Sequence, residues 1–190
     1  MRLMKLIRGA GLAALMAGSV FAPANAQLAR NSTAPIAYDF GSGAYDPDSC
    51  TTTMTGGPNF SQETSQLRAQ VMRRVDARTP DGGCGDLVRI EAEGSVFYVT
   101  PEASLPSDRA ANPAPGTPVP QLRIRADTAV YTASDDSIVF TGGPVTMASD
   151  RGVTESSRVL VHISTGRAAM GAAGEGRVHG VFLPPPKKAR

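Results

Sequence analysis

The sequence predicts an all-β fold, and three observations support this. Apolar and polar residues alternate with a period of two in several short runs, as they do in a strand that buries one face. Turns rich in glycine and proline separate these runs, and the 190 residues include 20 Gly and 15 Pro. Strands do not alternate with helical patterns as they would in a parallel sheet. Hydrophobic residues make up 41% of the chain, which is enough to form a single buried core.

An export signal is predicted over residues 1–26. A cationic start is followed by an apolar run over 10–22 and by the A-x-A cleavage site Ala24-Asn-Ala26. The sequence therefore predicts cleavage before Gln27 and a mature chain that is soluble in an oxidising, exported compartment. In that chain 16 basic side chains nearly balance 17 acidic ones.

Two copies of one sequence pattern occur at an offset of 86 residues. Tyr45 matches Tyr131, and the string Thr55-Gly-Gly-Pro58 matches Thr141-Gly-Gly-Pro144. The interval from tyrosine to threonine is ten residues in both copies. Self-similarity of this kind predicts that one supersecondary unit is used twice.

The predicted unit is a strand, a turn and a second strand. In the second copy, a strand over 122–126 precedes a polar turn over 132–137 and a strand over 138–141. The following Gly142-Gly-Pro144 bends the chain, because glycine adopts positive φ and proline lacks a ladder donor. Further strands are expected at 88–92, 96–99, 145–147, 159–163 and 178–182.

Residues 61–79 have two interpretations. Leu67, Val71 and Val75 have the i, i+4, i+8 spacing of a helix. The repeat instead places this segment opposite 153–161, which has an extended pattern. We favour strands, because the position in a repeat constrains architecture more than one local periodicity does.

A proline-rich stretch divides the two copies. Residues 101–120 contain six Pro and four Ala with few large apolar side chains, which is typical of a loop or linker. Residues 184–190 form a basic tail that is predicted to be disordered. The sequence therefore predicts one domain over 27–183 with an insertion at 101–120.

Composition argues against several classes of function. The near balance of 19 basic and 17 acidic residues is unlike a nucleic-acid-binding protein. Two Cys and two His are too few for a self-contained zinc cage, so no metal or cofactor is predicted. His162 and His179 have no G-x-S-x-G nucleophile motif near them, so no enzyme is predicted. Cys50 and Cys84 can form a disulfide or remain free, and the sequence leaves both states open.

Three strings carry a family resemblance: Arg89-Ile-Glu-Ala-Glu-Gly-Ser-Val-Phe-Tyr-Val99, Ile124-Arg-Ala-Asp-Thr-Ala-Val-Tyr131 and Ile138-Val-Phe-Thr-Gly142. Their order and spacing within 35–182 resemble the LptA (OstA-like) family of periplasmic bridge proteins of lipopolysaccharide transport. The ending Gly176-Arg-Val-His-Gly-Val-Phe182 is similar to members of that family from alphaproteobacteria.

The resemblance implies an open-ended β-jellyroll of stacked antiparallel strands. Such a protein would bind lipopolysaccharide with the lipid A acyl chains inside and carry it from the inner to the outer membrane. The implied partners are an LptC-like inner-membrane jellyroll, an LptD-like outer-membrane jellyroll and further copies of the chain in head-to-tail contact. Docking edges are expected over 35–40 and 177–182, at Ile36, Tyr38, Val178 and Val181.

Inward side chains of the alternating strands are candidates for the lining that binds acyl chains. They are Val88, Ile90, Val96, Tyr98, Ile124, Ile138, Phe140, Val145, Met147, Val159, Val161 and Ile163. The same residues are compatible with the sealed core of an ordinary β-sandwich. The densest basic cluster fits either lipid A phosphates or a solvated face, and consists of Arg68, Arg73, Arg74 and Arg78.

Two other functions remain open at the level of sequence. The chain can be an exported structural or adhesive β-domain with a closed core. It can also be an LptC-like component of the same pathway.

Overall fold

The computed structural model describes residues 27–30, 32–102, 120–171 and 177–182. These residues form twelve strands of one antiparallel sheet without a helix among them, which confirms the predicted fold class. Within the same ranges no helix has the length and apolarity needed to cross a bilayer. The predicted export signal, most of the proline-rich insertion and the basic tail lie outside the described residues.

The strands follow the chain in order. They are β1 (Ala37–Asp39), β2 (Ser42–Asp46), β3 (Thr51–Thr55), β4 (Asn59–Gln62), β5 (Ser65–Arg68), β6 (Val71–Arg78), β7 (Cys84–Pro101), β8 (Gln121–Thr132), β9 (Ser137–Ser149), β10 (Gly152–His162), β11 (Arg167–Met170) and β12 (His179–Phe182).

The four long strands divide the sheet into two parts. The first part of β7 pairs with β6, and its last part pairs with β5. In the same way, the first part of β10 pairs with β12, and its last part pairs with β11. Half-sheet A therefore has the order β1-β4-β5-β7-β8-β9-β10-β12. Half-sheet B has the order β2-β3-β6-β7-β8-β9-β10-β11. Strands β7 to β10 pass through both.

The two half-sheets pack face to face around one core. Met54, Met72 and Ile90 of half-sheet B share a single cluster of buried residues with Phe60 and Ile124 of half-sheet A. Alternation along each strand supplies this apolar layer, because every second side chain points to the same face. The arrangement agrees with the predicted jellyroll.

Kinks between the half-sheets occur where the sequence predicts a bend. Gly56 and Gly142 have φ of +80° and +83°, in the left-handed region that glycine tolerates. A Cβ on Gly142 would lie 2.8 Å from the Cβ of Asp127, and one on Gly56 would lie 2.8 Å from the Cα of Gly41. Adjacent strands therefore approach each other closely at the kinks. Any residue larger than glycine at either position would clash with the neighbouring strand.

The structure confirms the repeat. At the offset of 86 residues, β1 and β2 correspond to β8, β3 and β4 to β9, and β5 and β6 to β10. Residues 61–79 are strands, so the preferred interpretation is confirmed and the helical one is wrong. Leu67 is buried, whereas Val71 and Val75 are only partly buried, because a break between β5 and β6 interrupts the alternation. A spacing of four residues is also two strand periods, so it does not by itself distinguish a helix from a strand.

Cys50 and Cys84 form a disulfide, which resolves the alternative that the sequence left open. Their Cα atoms are 5.5 Å apart. The bond joins the turn between β2 and β3 to the first residue of β7, at the outer end of half-sheet B.

Candidate functional site

The candidate site is the apolar interior between the half-sheets. Ten of the twelve predicted lining residues are buried there: Ile90, Val96, Tyr98, Ile124, Ile138, Phe140, Val145, Val159, Val161 and Ile163. Ring centroids of Tyr98 in half-sheet A and Phe140 in half-sheet B lie 5.6 Å apart, so residues from the two half-sheets meet inside.

Two predicted lining residues are placed differently. Val88 is 42% exposed and faces outward, so its assignment to the interior is wrong. The register between β6 and β7 shifts at this position, and Leu87 packs against the core instead. Such a bulge reverses the faces of the residues before it. Met147 is partly buried and packs against the core from its margin.

Sequence analysis missed several lining residues from the first copy of the repeat. They are Met54, Phe60, Leu67 and Met72. The offset of 86 residues matches Met54 to Phe140, so the repeat itself contained a signal for one of them. The strands of this copy are short, so the alternation breaks off after a few residues and does not reveal the other three.

The interior also contains two buried phenols. The Tyr98 hydroxyl donates to the Leu28 carbonyl at 3.1 Å, and the Tyr131 hydroxyl accepts from the Gln27 N–H at 3.0 Å. Burial raises the pKa of Tyr98 to about 12 and raises the pKa of Tyr131 as well. Both side chains are therefore neutral at physiological pH, and the site contains no anionic phenolate.

A cavity of 350 Å³ opens beside β1 at one end of the interior. Its walls include Phe60, Ile90 and Leu87, with Ile36 and the Arg74 side chain at the margin. This volume is at the lower end of the roughly 300–1,000 Å³ of typical ligand pockets. Its apolar walls would allow part of a long apolar group to enter.

The predicted basic cluster does not converge on one site. Arg74 Nε lies 2.8 Å from Asp76 Oδ1 on the same strand, and Arg68 donates to Gln66. Arg78 donates to main-chain carbonyl groups in the neighbouring turns. Arg68, Arg73 and Arg78 are exposed, whereas Arg74 lines the cavity, so the four side chains do not share one face.

Edge strands end the sheet on both sides. Among the described residues β1 pairs only with β4 and β2 only with β3, while β12 and β11 pair only with β10. Tyr38 on β1 is 54% exposed, Val181 on β12 is 71% exposed, and Val178 just before β12 is also exposed. Ile36 differs from the expectation, because it lies before β1 and packs partly buried against the core.

The structure places the two histidines in different half-sheets, where His162 pairs with Arg167 of β11 and His179 pairs with Glu155 of β10. His162 ends β10 and His179 begins β12, and both are exposed. No group of three metal-ligating side chains occurs within the described ranges.

Comparisons with known proteins identify a fold relative. No protein-family model matches the sequence, and no curated protein matches it. A solved structure that is similar is that of LptH, the LptA-homologous periplasmic component of the lipopolysaccharide transport device of Pseudomonas aeruginosa. The TM-score is 0.60 at 14% sequence identity, over 80% of this chain and 96% of that chain. At this identity the likeness shows a shared fold, an LptA-like β-jellyroll.

Proposed function

We propose that this chain is a periplasmic lipopolysaccharide-binding protein that carries lipid from the inner to the outer membrane. The observation that carries the proposal is a continuous apolar interior between two half-sheets whose edge strands are available at both ends. The LptA-like fold supports it, because the fold relative is described as a component of lipopolysaccharide transport.

The chemistry of the interior suits acyl chains. Each CH₂ group removed from water contributes about 0.8 kcal/mol, so a single acyl chain supplies several kcal/mol without any polar contact. The lining is aliphatic and aromatic, and its phenols are uncharged. The sugar and phosphate groups of the lipid would stay in water, because burying a charge is expensive.

The edges suit partners of the same architecture. An exposed edge strand offers unpaired N–H and C=O groups to a strand of another chain, and most soluble β-proteins protect such edges. We propose that β1 and β2 dock an LptC-like jellyroll, and that β11 and β12 dock an LptD-like jellyroll or a further copy of this chain. The disulfide fits an oxidising compartment such as the periplasm.

A photo-crosslinking amino acid at Phe140 tests the proposal in cells that produce lipopolysaccharide. We expect capture of lipopolysaccharide from this buried position. The matched control is Val130, which is exposed on the neighbouring strand β8 and should capture none. Absence of lipid adducts at Phe140, with the protein folded and exported, would refute the proposal.

An exported structural β-domain with a closed core is the second candidate. One observation favours it: Leu28 is fully buried in the core, so residues before β1 already close part of the interior. This function predicts that Phe140 forms crosslinks within the protein only. An LptC-like role in the same pathway would instead give lipid adducts together with a retained inner-membrane anchor.

A further inference from the structure

Residues 27–30 and 32–36, which we call the strap, contact the free ends of strands in both half-sheets. The Leu28 N–H donates to Oε1 of Gln62, the last residue of β4, at 2.6 Å. The Gln27 N–H donates to the hydroxyl of Tyr131, near the end of β8, at 3.0 Å. Because the half-sheets are joined at their kinks, the strand ends form the opposite, open side of the jellyroll. The strap therefore crosses this open side.

Part of the strap is as deeply buried as the core residues of the strands. Leu28 is 0% exposed and belongs to the same cluster as the lining residues, and Ala29 and Ser32 are also buried. In contrast, Arg30 is exposed and donates to the Ser164 carbonyl beyond β10 at 3.2 Å. One face of the strap thus completes the core while the other faces water.

Side chains, and not a strand ladder, hold the strap. The amide of Gln62 accepts from two strap N–H groups and donates to the Ala34 carbonyl at 2.7 Å, and Tyr98 donates to the Leu28 carbonyl. No strap residue belongs to a strand. The strap can therefore leave without breaking any strand pairing, and water can then satisfy its exposed main-chain groups.

An amphiphile that travels through the interior needs an open side. Its acyl chains would lie between the half-sheets while its charged head group stays in water, so the two parts must be connected through a slit. The strap fills this slit. Strap residues 32–36 line the 350 Å³ cavity together with Phe60 and Ile90 of the interior.

We infer that the strap is a displaceable occupant of the lipid path, which closes the open side of the empty protein and competes with acyl chains. This inference rests on the proposed function. Binding of lipid then requires the open form, and the apparent affinity is the intrinsic affinity reduced by the fraction of molecules that are open.

Cross-linking the strap to the turn after β4 tests the inference. Ser32 Oγ lies 2.8 Å from Glu63 Oε1 in the turn after β4, so the double variant Ser32→Cys/Glu63→Cys can be cross-linked with a short bifunctional thiol reagent. The probe is fluorescently labelled lipopolysaccharide, added to the exported protein. We expect cross-linking to weaken apparent binding by about tenfold or more, and Leu28→Ala, which loosens the strap, to strengthen it about tenfold.

A matched cross-link controls for the reagent. Ser42 and Thr55 on β2 and β3 also have hydroxyl oxygens 2.8 Å apart, away from the strap, and cross-linking Ser42→Cys/Thr55→Cys should leave lipid binding unchanged. If the protein binds labelled lipopolysaccharide equally well with the strap cross-linked and with it free, the inference is overturned and the proposed function still stands. Failure of every form to bind the probe would overturn both. If Leu28→Ala does not fold, the two cross-linked pairs decide alone.

Discussion

Replacing Phe140 by alanine tests whether the half-sheets share one core. Phe140 is fully buried on β9, and its ring centroid lies 5.6 Å from that of Tyr98 in the other half-sheet. Truncation of a buried Phe to Ala removes apolar contacts and leaves a cavity, which destabilises a protein by about 3–5 kcal/mol. We expect the free energy of unfolding, measured by urea titration, to fall by that amount. Val130→Ala on the exposed face should change it by less than about 0.5 kcal/mol.

A double-mutant cycle isolates the contact between the half-sheets. Phe140→Leu and Tyr98→Leu retain most of the apolar volume, so we expect the double variant to fold. An aromatic pair at this distance contributes about 0.5–1.5 kcal/mol beyond its buried area, so the two changes should be coupled by that amount. Independent sites add within about 0.3–0.5 kcal/mol, and additivity within this limit would refute the face-to-face packing.

Three further predictions concern the disulfide, the buried phenol and the edges. Replacing Cys50 and Cys84 by alanine opens a link across a sequence separation of 34 and should lower the free energy of unfolding by about 3–4 kcal/mol in urea; an unchanged midpoint would contradict this. The pKa of Tyr98 rises on folding from 10.0 to about 12, so the neutral phenol stabilises the fold fully below pH 10. Between pH 10 and pH 12 the free energy of unfolding should therefore fall by up to about 3 kcal/mol. The fall should be smaller in the Tyr98→Phe variant, which has no phenol to ionise at this position. Tyr38→Pro and Val178→Pro should each reduce co-purification of one neighbouring component, and unchanged capture of both would count against strand addition at these edges.

The sequence by itself determined the class of fold and much of the lining. The period of two follows from strand geometry, and the bends at Gly56 and Gly142 follow from the φ values that glycine allows, so both are local properties that a reader of the sequence can recognise. The repeat then extended the strand interpretation to residues 61–79, where local periodicity alone predicts a helix. Ten of the twelve residues predicted from alternation are buried in the interior.

Tertiary structure decided the features that depend on distant partners. Val88 faces outward because a bulge in the pairing of β6 with β7 changes the register, and nothing in the neighbouring sequence marks that bulge. Pairing of Cys50 with Cys84 required the turn after β2 to meet the start of β7. Leu28 shows no periodicity, and it is buried only because Gln62 and Tyr98 bind its main chain across the open side. Alternation records which side of its own strand a residue occupies, whereas these contacts depend on how separate strands are placed in space.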